Sequence, residues 1–311
     1  MTKAKGIVFT EFGPADVLHP AEIDVPEPGP GQVRIAVRAA GVNPLDHKIR
    51  AGYMNQVFTV ELPHVPGVEA SGVVESVGEG VSGLTAGQEV FGPTVSGAYA
   101  ELALAEAVRL AVKPSDLGFP EAAALPVGAE TAYRTLQVLG VRGGETLLVH
   151  GAAGGVGSLA VQFAVARGLR VVGTASVSNH ERLRALGAIP VTYGPGLVDR
   201  VRDAAPEGVD AALDTTGLAE SLAASVELTG DKDRVLTIAG PDAAGEYGVA
   251  FSSGAGPDGY LGGPAFAEAL ALHATGTLAV AIHHSYPLAE AADAQRASEA
   301  GHLAGKIILV P

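Results

Sequence analysis

The stretch Thr146-Leu-Leu-Val-His-Gly-Ala-Ala-Gly-Gly-Val-Gly157 decides how the second half of this chain folds. Residues Thr146 to Val149 predict a short apolar strand, and residues Ser158 to Arg167 predict an apolar helix. A strand, a glycine turn and a helix N-terminus in this order form an anion site, because the backbone approaches a pyrophosphate closely and the free helix amides face it. The spacing Ala152-x-Gly154-x-x-Gly157 is the dinucleotide-binding fingerprint with alanine in its first position.

Two other interpretations of this stretch stay open on the sequence alone. Residues Thr146 to Ala166 carry no formal charge and are long enough to cross a bilayer. The run of glycines argues against one continuous helix, and no basic flank marks a topology. A glycine turn can also serve close packing alone. The strand before the turn and the helix after it favour nucleotide binding, and we expect no membrane association.

The composition excludes several classes of function. The chain has 311 residues, 47% of them hydrophobic and 17% charged, which predicts a folded protein of two domains. Its net charge of -14 leaves no basic surface for nucleic acid. It has no cysteine, which excludes disulfides, thiolate zinc sites and thiol nucleophiles. The first ten residues predict a strand rather than a signal peptide, so we expect a cytoplasmic protein.

Residues 1 to about 114 have the pattern of an antiparallel β domain. Val33–Ala39 alternates apolar and polar residues, as a half-buried strand does, and Val73–Val77 is a second candidate strand. Turn residues cluster at Pro26–Gly31 and Val81–Gly87. This pattern predicts an antiparallel barrel or sandwich.

From Phe119 onward, helix-like and strand-like stretches alternate, which predicts βαβ units and a parallel sheet with right-handed crossovers. The segment Pro241–Gly263 is glycine-rich and without periodicity, so it is either a mobile cover over a site or a long connection. Strands are predicted at Thr146–Val149, Arg170–Thr174, Ile189–Tyr193, Ala211–Asp214, Val235–Ala239, Gly276–Ile282 and Lys306–Val310. Helices are predicted at Glu121–Leu139, Ser158–Arg167, Glu181–Leu186, Val198–Ala204, Ala219–Leu228, Gly263–Thr275 and Leu288–Ala300.

Segments along nearly the whole chain carry a family resemblance. They are Ala40–Asp46, Pro66–Val74, Ala124–Val127 with Thr131–Tyr133, His150–Gly157 and Gly305–Leu309. In this order and spacing they resemble the medium-chain dehydrogenase/reductase superfamily, and within it the zinc-independent quinone oxidoreductase (zeta-crystallin-like) branch. The resemblance implies an α/β fold in which a Rossmann domain with a doubly wound parallel sheet is inserted into a GroES-like β-barrel catalytic domain. We expect the catalytic domain at residues 1–114 and 268–311 and the Rossmann domain at residues 115–267.

The resemblance also bears on metal binding. Zinc-containing members of the superfamily place a cysteine where this chain has Asn43, and a histidine where it has Val68, directly before a glutamate. The cysteine-rich structural zinc lobe is missing as well. His283 and His284 would point to opposite faces of a strand, which is poor for joint ligation. The nine histidines leave a histidine–carboxylate site open on composition, but none has a spacing that indicates one, so we expect no metal.

The residues after the second predicted strand of the Rossmann domain bear on the choice of cofactor. An NAD site places an acidic residue about 20 residues beyond the fingerprint to bind the ribose 2′-OH. Here the strand ends at Ser176, and no carboxylate occurs before Glu181. Asn179 and His180 can supply donors, as can two following arginines, Arg182 and Arg184, unless these are simply solvated. The missing acid predicts NADPH rather than NADH.

Family positions extend this cofactor site. Tyr193 resembles the tyrosine that relatives use at the 2′-phosphate, whereas the lysine that many relatives carry near Asn179 is missing. Thr131 lies on the segment that resembles the nicotinamide side, and Lys306 reaches the cofactor from the returning tail or is a surface lysine. The predicted cofactor-binding residues are Thr131, Ala153, Gly154, Gly155, Val156, Gly157, Thr174, Ser176, Asn179, His180, Tyr193, Thr215, Ala239, Gly240 and Lys306.

Without a metal to polarise a carbonyl, hydride transfer to an electron-poor π-system becomes the favoured reaction. Three residues are candidates for the catalytic role. Asn43 donates to the substrate oxygen or is only the turn residue before Pro44. Lys48 contacts the cofactor or substrate oxygen or is solvated, and Tyr53 is a phenolic donor at the pocket mouth.

The predicted function is therefore an NADPH-dependent reductase of quinones or α,β-unsaturated carbonyl compounds. Two alternatives stay open. One is an enoyl-thioester reductase of lipid or polyketide metabolism, which an extended basic groove would support. The other is an NADPH-binding protein without turnover. The family usually forms dimers or tetramers, often through Rossmann sheet edges, and Val235–Ala239 and Gly276–Ile282 are apolar enough for this.

Overall fold

The computed structural model describes residues 1–55, 59–254 and 259–311. They separate into two compact units, Met1–Val127 with Val280–Pro311, and Gly128–Ala279. The sequence pattern and the family resemblance predict both boundaries earlier in the chain, at 114/115 and 267/268.

Two contacts explain the later boundaries. Between the predicted and the observed first boundary, the carbonyl of Phe119 accepts a hydrogen bond from the Ser71 hydroxyl of the first unit (2.6 Å). Between the predicted and the observed second boundary, Glu268 pairs with Arg167 of the second unit (2.7 Å). The chain around residue 119 thus packs in the first unit, and the chain around residue 268 packs in the second.

The described chain contains the following elements. The strands are β1 (Thr2–Val8), β2 (His19–Val25), β3 (Gln32–Val42), β4 (Glu69–Val77), β5 (Glu89–Pro93), β6 (Leu102–Glu106), β7 (Ala111–Val112), β8 (Thr146–His150), β9 (Arg170–Thr174), β10 (Ile189–Val191), β11 (Ala211–Asp214), β12 (Val235–Thr237), β13 (Ala250–Phe251), β14 (Ile282–Pro287) and β15 (Lys306–Val310). The α-helices are α1 (Pro44–Arg50), α2 (Phe119–Ala123), α3 (Pro126–Leu139), α4 (Gly155–Ala166), α5 (His180–Ala185), α6 (Leu197–Ala204), α7 (Ala219–Thr229), α8 (Pro241–Tyr247), α9 (Gly262–Ala274) and α10 (Ala291–Ala300).

The first unit is built around a seven-stranded sheet in the order β14-β15-β3-β4-β5-β7, with β6 also paired to β3. All pairs are antiparallel except β14 with β15, which run parallel. Val33, Ile35 and Val37 alternate along β3 and enter one apolar core, as the sequence predicted for this strand. Ile307 of β15 joins the same core, so the returning tail completes the unit begun by the N-terminal residues.

The second unit is a six-stranded parallel sheet in the order β10-β9-β8-β11-β12-β13. Strand β8 lies at its centre and is buried along its whole length. This order has the chain moving outward from β8 in one direction and then in the other, which is the doubly wound Rossmann arrangement. The fold class predicted from the sequence is confirmed.

Several element predictions were wrong in detail. The stretch Glu121–Leu139 forms two helices, because Pro126 cannot continue a helix and instead begins α3. Gly276–Ile282 is not a strand, since β14 begins only at Ile282. The backbone of Ala279 bonds instead to the Gln162 side chain, donating to Oε1 (2.7 Å) and accepting from Nε2 (3.1 Å).

The segment Pro241–Gly263 contains more structure than its composition indicated. It holds α8 and β13, and β13 pairs on the outer side of β12. The predicted strand at Val235–Ala239 is therefore not the edge of the sheet. Residues 255–258 of this segment lie outside the described residues. In the part of the chain that the structure describes, no helix is both long and apolar enough to cross a membrane.

A buried histidine at the end of β8 makes the second unit sensitive to acid. His150 is 1% exposed, with Nε2 3.0 Å from the Ser225 hydroxyl and Nδ1 3.4 Å from the Thr174 hydroxyl. Burial lowers its pKa to about 4, and the charge of Asp214 opposes this shift only in part. The unfolded chain, with an ordinary histidine pKa near 6.5, therefore binds the proton first as the pH falls.

We expect His150 to contribute full stability above pH 6.5 and to lose it as the pH falls from 6.5 to about 4. The loss reaches about 3 kcal/mol of unfolding free energy. Urea unfolding of the wild type and of His150→Gln at several pH values should show a difference that shrinks across this window. His19→Gln, at an exposed histidine, is the control. A difference that does not change with pH would contradict the assignment.

Candidate active site

The fingerprint turn of the second unit brings the end of β8 and the start of α4 into direct contact. A Cβ at Gly157 would lie 2.2 Å from the Gly151 carbonyl oxygen, so no other residue fits there without moving the backbone. Gly151 has a φ of +70°, which turns the chain away from β8. The first bond within α4 runs from the Ser158 amide to the Gly154 carbonyl (3.0 Å). The amides of Gly155, Val156 and Gly157 come before it and are free for an anion.

The end of β9 lies beside this turn, as predicted. The amide of Gly151 donates to the Thr174 hydroxyl (3.3 Å). Beyond the strand, the side-chain Nδ2 of Asn179 donates to the Ser176 hydroxyl (2.9 Å). His180 Nε2 lies 3.4 Å from the hydroxyl of Thr192, which is next to Tyr193. These polar side chains form the edge where a cofactor ribose would lie, and none of them is a carboxylate.

Of the two arginines that the sequence offers as donors, the structure places Arg182 beside the fingerprint turn. Its Nη1 donates to the carbonyl of Ala153 in the fingerprint turn (3.4 Å). Its Nη2 is buried and has no hydrogen-bond partner among the described residues. Burial also lowers the pKa of the guanidinium. The interpretation of Arg182 as a solvated surface residue is therefore wrong, and a phosphate beside the turn would supply the missing acceptor.

On the other side of β8, a buried carboxylate shapes the loop after β11. Asp214 accepts hydrogen bonds from the amide and hydroxyl of Thr216 (3.0 and 2.6 Å) and from the amide of Gly217 (2.8 Å). It also accepts from the hydroxyl of Thr237 on β12 (2.7 Å). The Thr215 hydroxyl donates to the His150 carbonyl (2.8 Å). A strand that ends in Asp-Thr-Thr-Gly was the available sequence signal for this role.

The loops after β11 and β12 touch each other. A Cβ at Gly217 would lie 2.9 Å from the carbonyl carbon of Ala239, and one at Gly240 would lie 2.9 Å from the Gly217 carbonyl oxygen. Thr215, Ala239 and Gly240 are thereby brought together at the carboxyl ends of neighbouring parallel strands, where ligands of open α/β sheets bind.

Thr131 lies on α3, where it is 8% exposed and its carbonyl accepts from the Thr135 hydroxyl (2.8 Å). Next to it lies a buried ion pair that the sequence analysis missed, although its i,i+4 spacing was visible. Glu130 and Arg134 pair at 2.9 Å. Arg134 also bonds to Ser252, and Glu130 accepts from the amide of Leu261 (3.3 Å). The segment predicted as a cover is therefore tied to α3 on both sides of residues 255–258.

The first unit contains a second group of buried polar residues, Asn43, Asp46, Glu69, Tyr99 and Lys306, which we call the polar cluster. The Asn43 Nδ2 donates to Glu69 Oε1 (2.7 Å), and Lys306 Nζ donates to Asn43 Oδ1 (2.6 Å). Lys306 Nζ also lies 2.5 Å from Glu69 Oε1. The Asn43 amide and the Tyr99 hydroxyl both donate to Asp46 Oδ2 (2.8 Å each).

Burial dominates the electrostatics of the polar cluster. It raises the pKa of Asp46 to about 7, against the lowering effects of the Asn43 amide, the Tyr99 hydroxyl and the Lys306 charge. Burial, with the Asp46 charge beside it, also holds the pKa of Tyr99 well above its usual value. Asp46 Oδ1 has no partner among the described residues.

The predicted catalytic residues differ in burial and in whether they bond to the polar cluster. Asn43 is 4% exposed and both ends of its amide are engaged, which leaves one Nδ2 hydrogen free. Lys306 is not a surface lysine, since its side chain is only 9% exposed. Tyr53 is 79% exposed, and within the described residues neither it nor Lys48 bonds to the polar cluster.

Two of the histidines considered as metal ligands pack against aromatic rings, and the carboxylates and histidines of the described residues are dispersed. The described residues contain no group of three or more histidine, cysteine, aspartate or glutamate side chains that could hold a metal ion. His284 packs edge-on against Tyr286, with the ring centres 4.5 Å apart. His64 lies against Phe9, with the ring centres 5.2 Å apart.

Comparison with known proteins identifies the family. Residues 29–135 match the alcohol dehydrogenase GroES-like domain, and residues 186–309 match a family described as zinc-binding dehydrogenase. The chain is 37% identical to 2-methylene-furan-3-one reductase of Solanum lycopersicum, over 76% of this chain and 63% of the relative. It is 42% identical to human quinone oxidoreductase, over 56% of this chain and 53% of the relative. The matches thus span between half and two thirds of these relatives.

A solved structure matches over its full length. A mycobacterial protein, solved in complex with NADPH, has a TM-score of 0.84 and 30% identity to this chain, covering 99% of this chain and 100% of that one. The two-unit architecture, the fingerprint turn and these similarities agree. The chain belongs to the medium-chain dehydrogenase/reductase superfamily, and within it to the quinone oxidoreductase family.

Proposed function

We propose that this protein is an NADPH-dependent oxidoreductase that reduces quinones or α,β-unsaturated carbonyl compounds without a metal. One observation carries the proposal. Beside an intact fingerprint turn, the ribose edge bears an unpaired, partly buried cation, Arg182, and no carboxylate. A buried guanidinium N–H without an acceptor costs stability unless a ligand supplies one. A 2′-phosphate is such a ligand, and the NADPH complex of the mycobacterial relative supports this choice.

The residues present fit a dinucleotide. The amides of Gly155, Val156 and Gly157 would hold the pyrophosphate at the start of α4, beside Ala153 and Gly154. Thr174, Ser176, Asn179, His180 and Tyr193, with Arg182, would hold the phosphorylated ribose, and Thr131, Thr215, Ala239 and Gly240 would line the nicotinamide side. When bound, the nicotinamide supplies the hydride, and the protein supplies binding, orientation and electrostatics.

The choice of substrate follows from the polar cluster. A quinone or enone accepts hydride at a carbon and passes the charge to a distant oxygen, so it needs less activation than a simple ketone does, and a hydrogen-bond donor at that oxygen can supply it. The names of two relatives, a quinone oxidoreductase and a reductase of a methylene-furanone, support this class of acceptor. We also propose that the protein is cytoplasmic and forms a homodimer or homotetramer.

Turnover should survive removal of metal ions. After dialysis against a strong chelator, we expect the protein to oxidise NADPH with a benzoquinone and with a short enone at the rate of the untreated protein. NADPH absorbance measures the rate, and a zinc-dependent alcohol dehydrogenase treated in parallel is the control. Tight NADPH binding without turnover on any such acceptor would contradict the proposed activity.

A negative charge at the ribose edge should reverse the cofactor preference. Ser176→Asp places a carboxylate where an NAD site has one, so it would repel a 2′-phosphate and accept from a 2′-hydroxyl. We expect the Kd for NADPH to rise at least about tenfold, which corresponds to about 1.4 kcal/mol, while the Kd for NADH stays equal or falls. Ser82→Asp, at an exposed position in the first unit, controls for added charge. An unchanged ratio of the two Kd values would place the 2′-phosphate elsewhere.

Arg182 and Arg184 offer a matched pair on α5, since Arg184 is exposed and Arg182 is partly buried at the turn. We expect Arg182→Ala to raise the Kd for NADPH at least about tenfold and to leave NADH binding nearly unchanged, because it removes a charge-assisted bond worth about 1.5–3 kcal/mol. Arg184→Ala should change neither. Fluorescence titration of both cofactors measures this, and equal losses in the two variants would argue against a specific role for Arg182.

A further inference from the structure

The ammonium group of Lys306 lies in a closed triangle of polar groups in the first unit. Its Nζ is 2.5 Å from Glu69 Oε1 and 2.6 Å from Asn43 Oδ1. The Asn43 Nδ2 donates to the same glutamate oxygen (2.7 Å). Glu69 is fully buried, and its second oxygen accepts from the amide of Val127 (2.7 Å). The carboxylate is thus held on both oxygens, and a single ammonium balances its charge.

The position of this triangle in the sequence is informative. Zinc-containing members of the superfamily carry their cysteine ligand at the position of Asn43 and their histidine ligand at that of Val68, next to Glu69. Residues 186–309, which include Lys306, match a family described as zinc-binding dehydrogenase, so the fit of these positions to a metal can be tested on the residues present. The residues present do not fit one. Neither Asn43 nor Val68 offers a thiolate or an imidazole, and the nearby oxygens of Asn43 and Glu69 already bind an ammonium.

Electrostatics makes the two occupants exclusive. A divalent ion placed between Asn43 Oδ1 and Glu69 Oε1 would lie next to the Lys306 charge, and the single carboxylate of Glu69 would have to balance three positive charges in a buried site, which is costly. The ammonium is covalently attached to β15 and cannot be lost. The same place therefore holds a cation, but one that belongs to the chain.

We propose that Lys306 replaces the catalytic metal ion and donates its remaining N–H to the carbonyl oxygen of the acceptor. This inference rests on the proposed function. An ammonium has three donors, two of which face Asn43 and Glu69, and Lys306 makes no third hydrogen bond within the described residues. A charged donor fixed in a dry site stabilises a developing oxyanion better than a neutral amide does.

The chemistry balances without a metal. Hydride addition to the β-carbon of an enone breaks the carbon–carbon π bond and moves its electrons to the carbonyl oxygen, which the Lys306 N–H stabilises. The α-carbon of the resulting enolate then takes a proton from water, which becomes hydroxide, and a bound reduced nicotinamide would supply the two electrons of the hydride. Lys306 keeps its proton throughout. Asn43 becomes a positioning residue, because its amide holds the ammonium and the carboxylate in register.

Three variants separate this role from a structural one: Lys306→Met, Glu69→Gln and the double variant. Lys306→Met leaves a buried carboxylate unpaired, so its urea midpoint should fall clearly. The double variant removes both charges and should regain most of the midpoint. We expect kcat to fall about 10²–10³-fold in Lys306→Met and to stay equally low in the double variant, with the Kd for NADPH within about threefold of the wild type. Lys5→Met, at an exposed lysine of the same unit, is the control.

The outcomes differ in what they overturn. A double variant with the kcat of the wild type would show that Lys306 only neutralises Glu69, and would refute the donor role. Wild-type protein that retains one Zn²⁺ per chain after incubation and desalting would refute the replacement of the metal, whatever its activity. If the wild type binds NADPH but reduces no quinone or enone, the proposed function fails and the donor role fails with it. The metal measurement then still decides whether the ammonium excludes a metal ion.

Discussion

The structure depends on one backbone contact, the approach of Gly157 in α4 to the Gly151 carbonyl at the end of β8. A side chain at residue 157 would overlap that oxygen, so the contact sets how close the first helix of the Rossmann unit lies to its central strand. This closeness has two consequences. The first amides of α4 are brought to the end of the sheet, and the strands on either side of β8 can deliver their own loops to the same edge. The close packing of α4 on β8 therefore places backbone donors where a cofactor can bind.

The two units solve different electrostatic problems. In the function that we propose, the Rossmann unit attracts a polyanion although the whole chain carries a charge of -14, and it uses local donors and the Arg182 guanidinium, whose Nη2 has no partner among the described residues. The other unit must stabilise a transient negative charge on a substrate. It does so with charges that are already paired, because burying Lys306 would be costly without Glu69 beside it. Asp46, whose pKa burial raises to about 7, adds little negative charge to this cluster below neutral pH.

The sequence was sufficient for the elements whose pattern is local. The fingerprint turn, the alternation of β3 and the strand–helix order of the Rossmann unit all follow from spacing and were confirmed. It was insufficient where long-range contacts decide. Ala279 does not join a strand, because its backbone amide and carbonyl bond to the side chain of Gln162 on α4. The periodicity of the sequence contains no information on such a contact. The outer position of β13 depends on two exposed residues that no pattern distinguishes from a loop.

The same division applies to the site. Asn43 and Lys306 were both singled out by family position, but their partnership spans most of the chain and appears only in three dimensions. Arg182 was visible in the sequence, yet only its geometry separates it from the solvated Arg184. The structure brings Ala239 and Gly240 together with the loop after Thr215, and the role of these residues in cofactor binding stays a prediction. The role of Tyr53 and Lys48 stays a prediction, since neither joins the polar cluster.

The central claim, hydride transfer to a polarised double bond without a metal, is tested most directly by following the label. NADPH deuterated at the transferring position of C4 would be incubated with a short enone in ordinary water, and the product examined by NMR. We expect one deuterium on the β-carbon, ordinary hydrogen on the α-carbon and an intact carbonyl. Deuterium on the carbonyl carbon of an allylic alcohol, and its loss when a chelator is added, would contradict this claim.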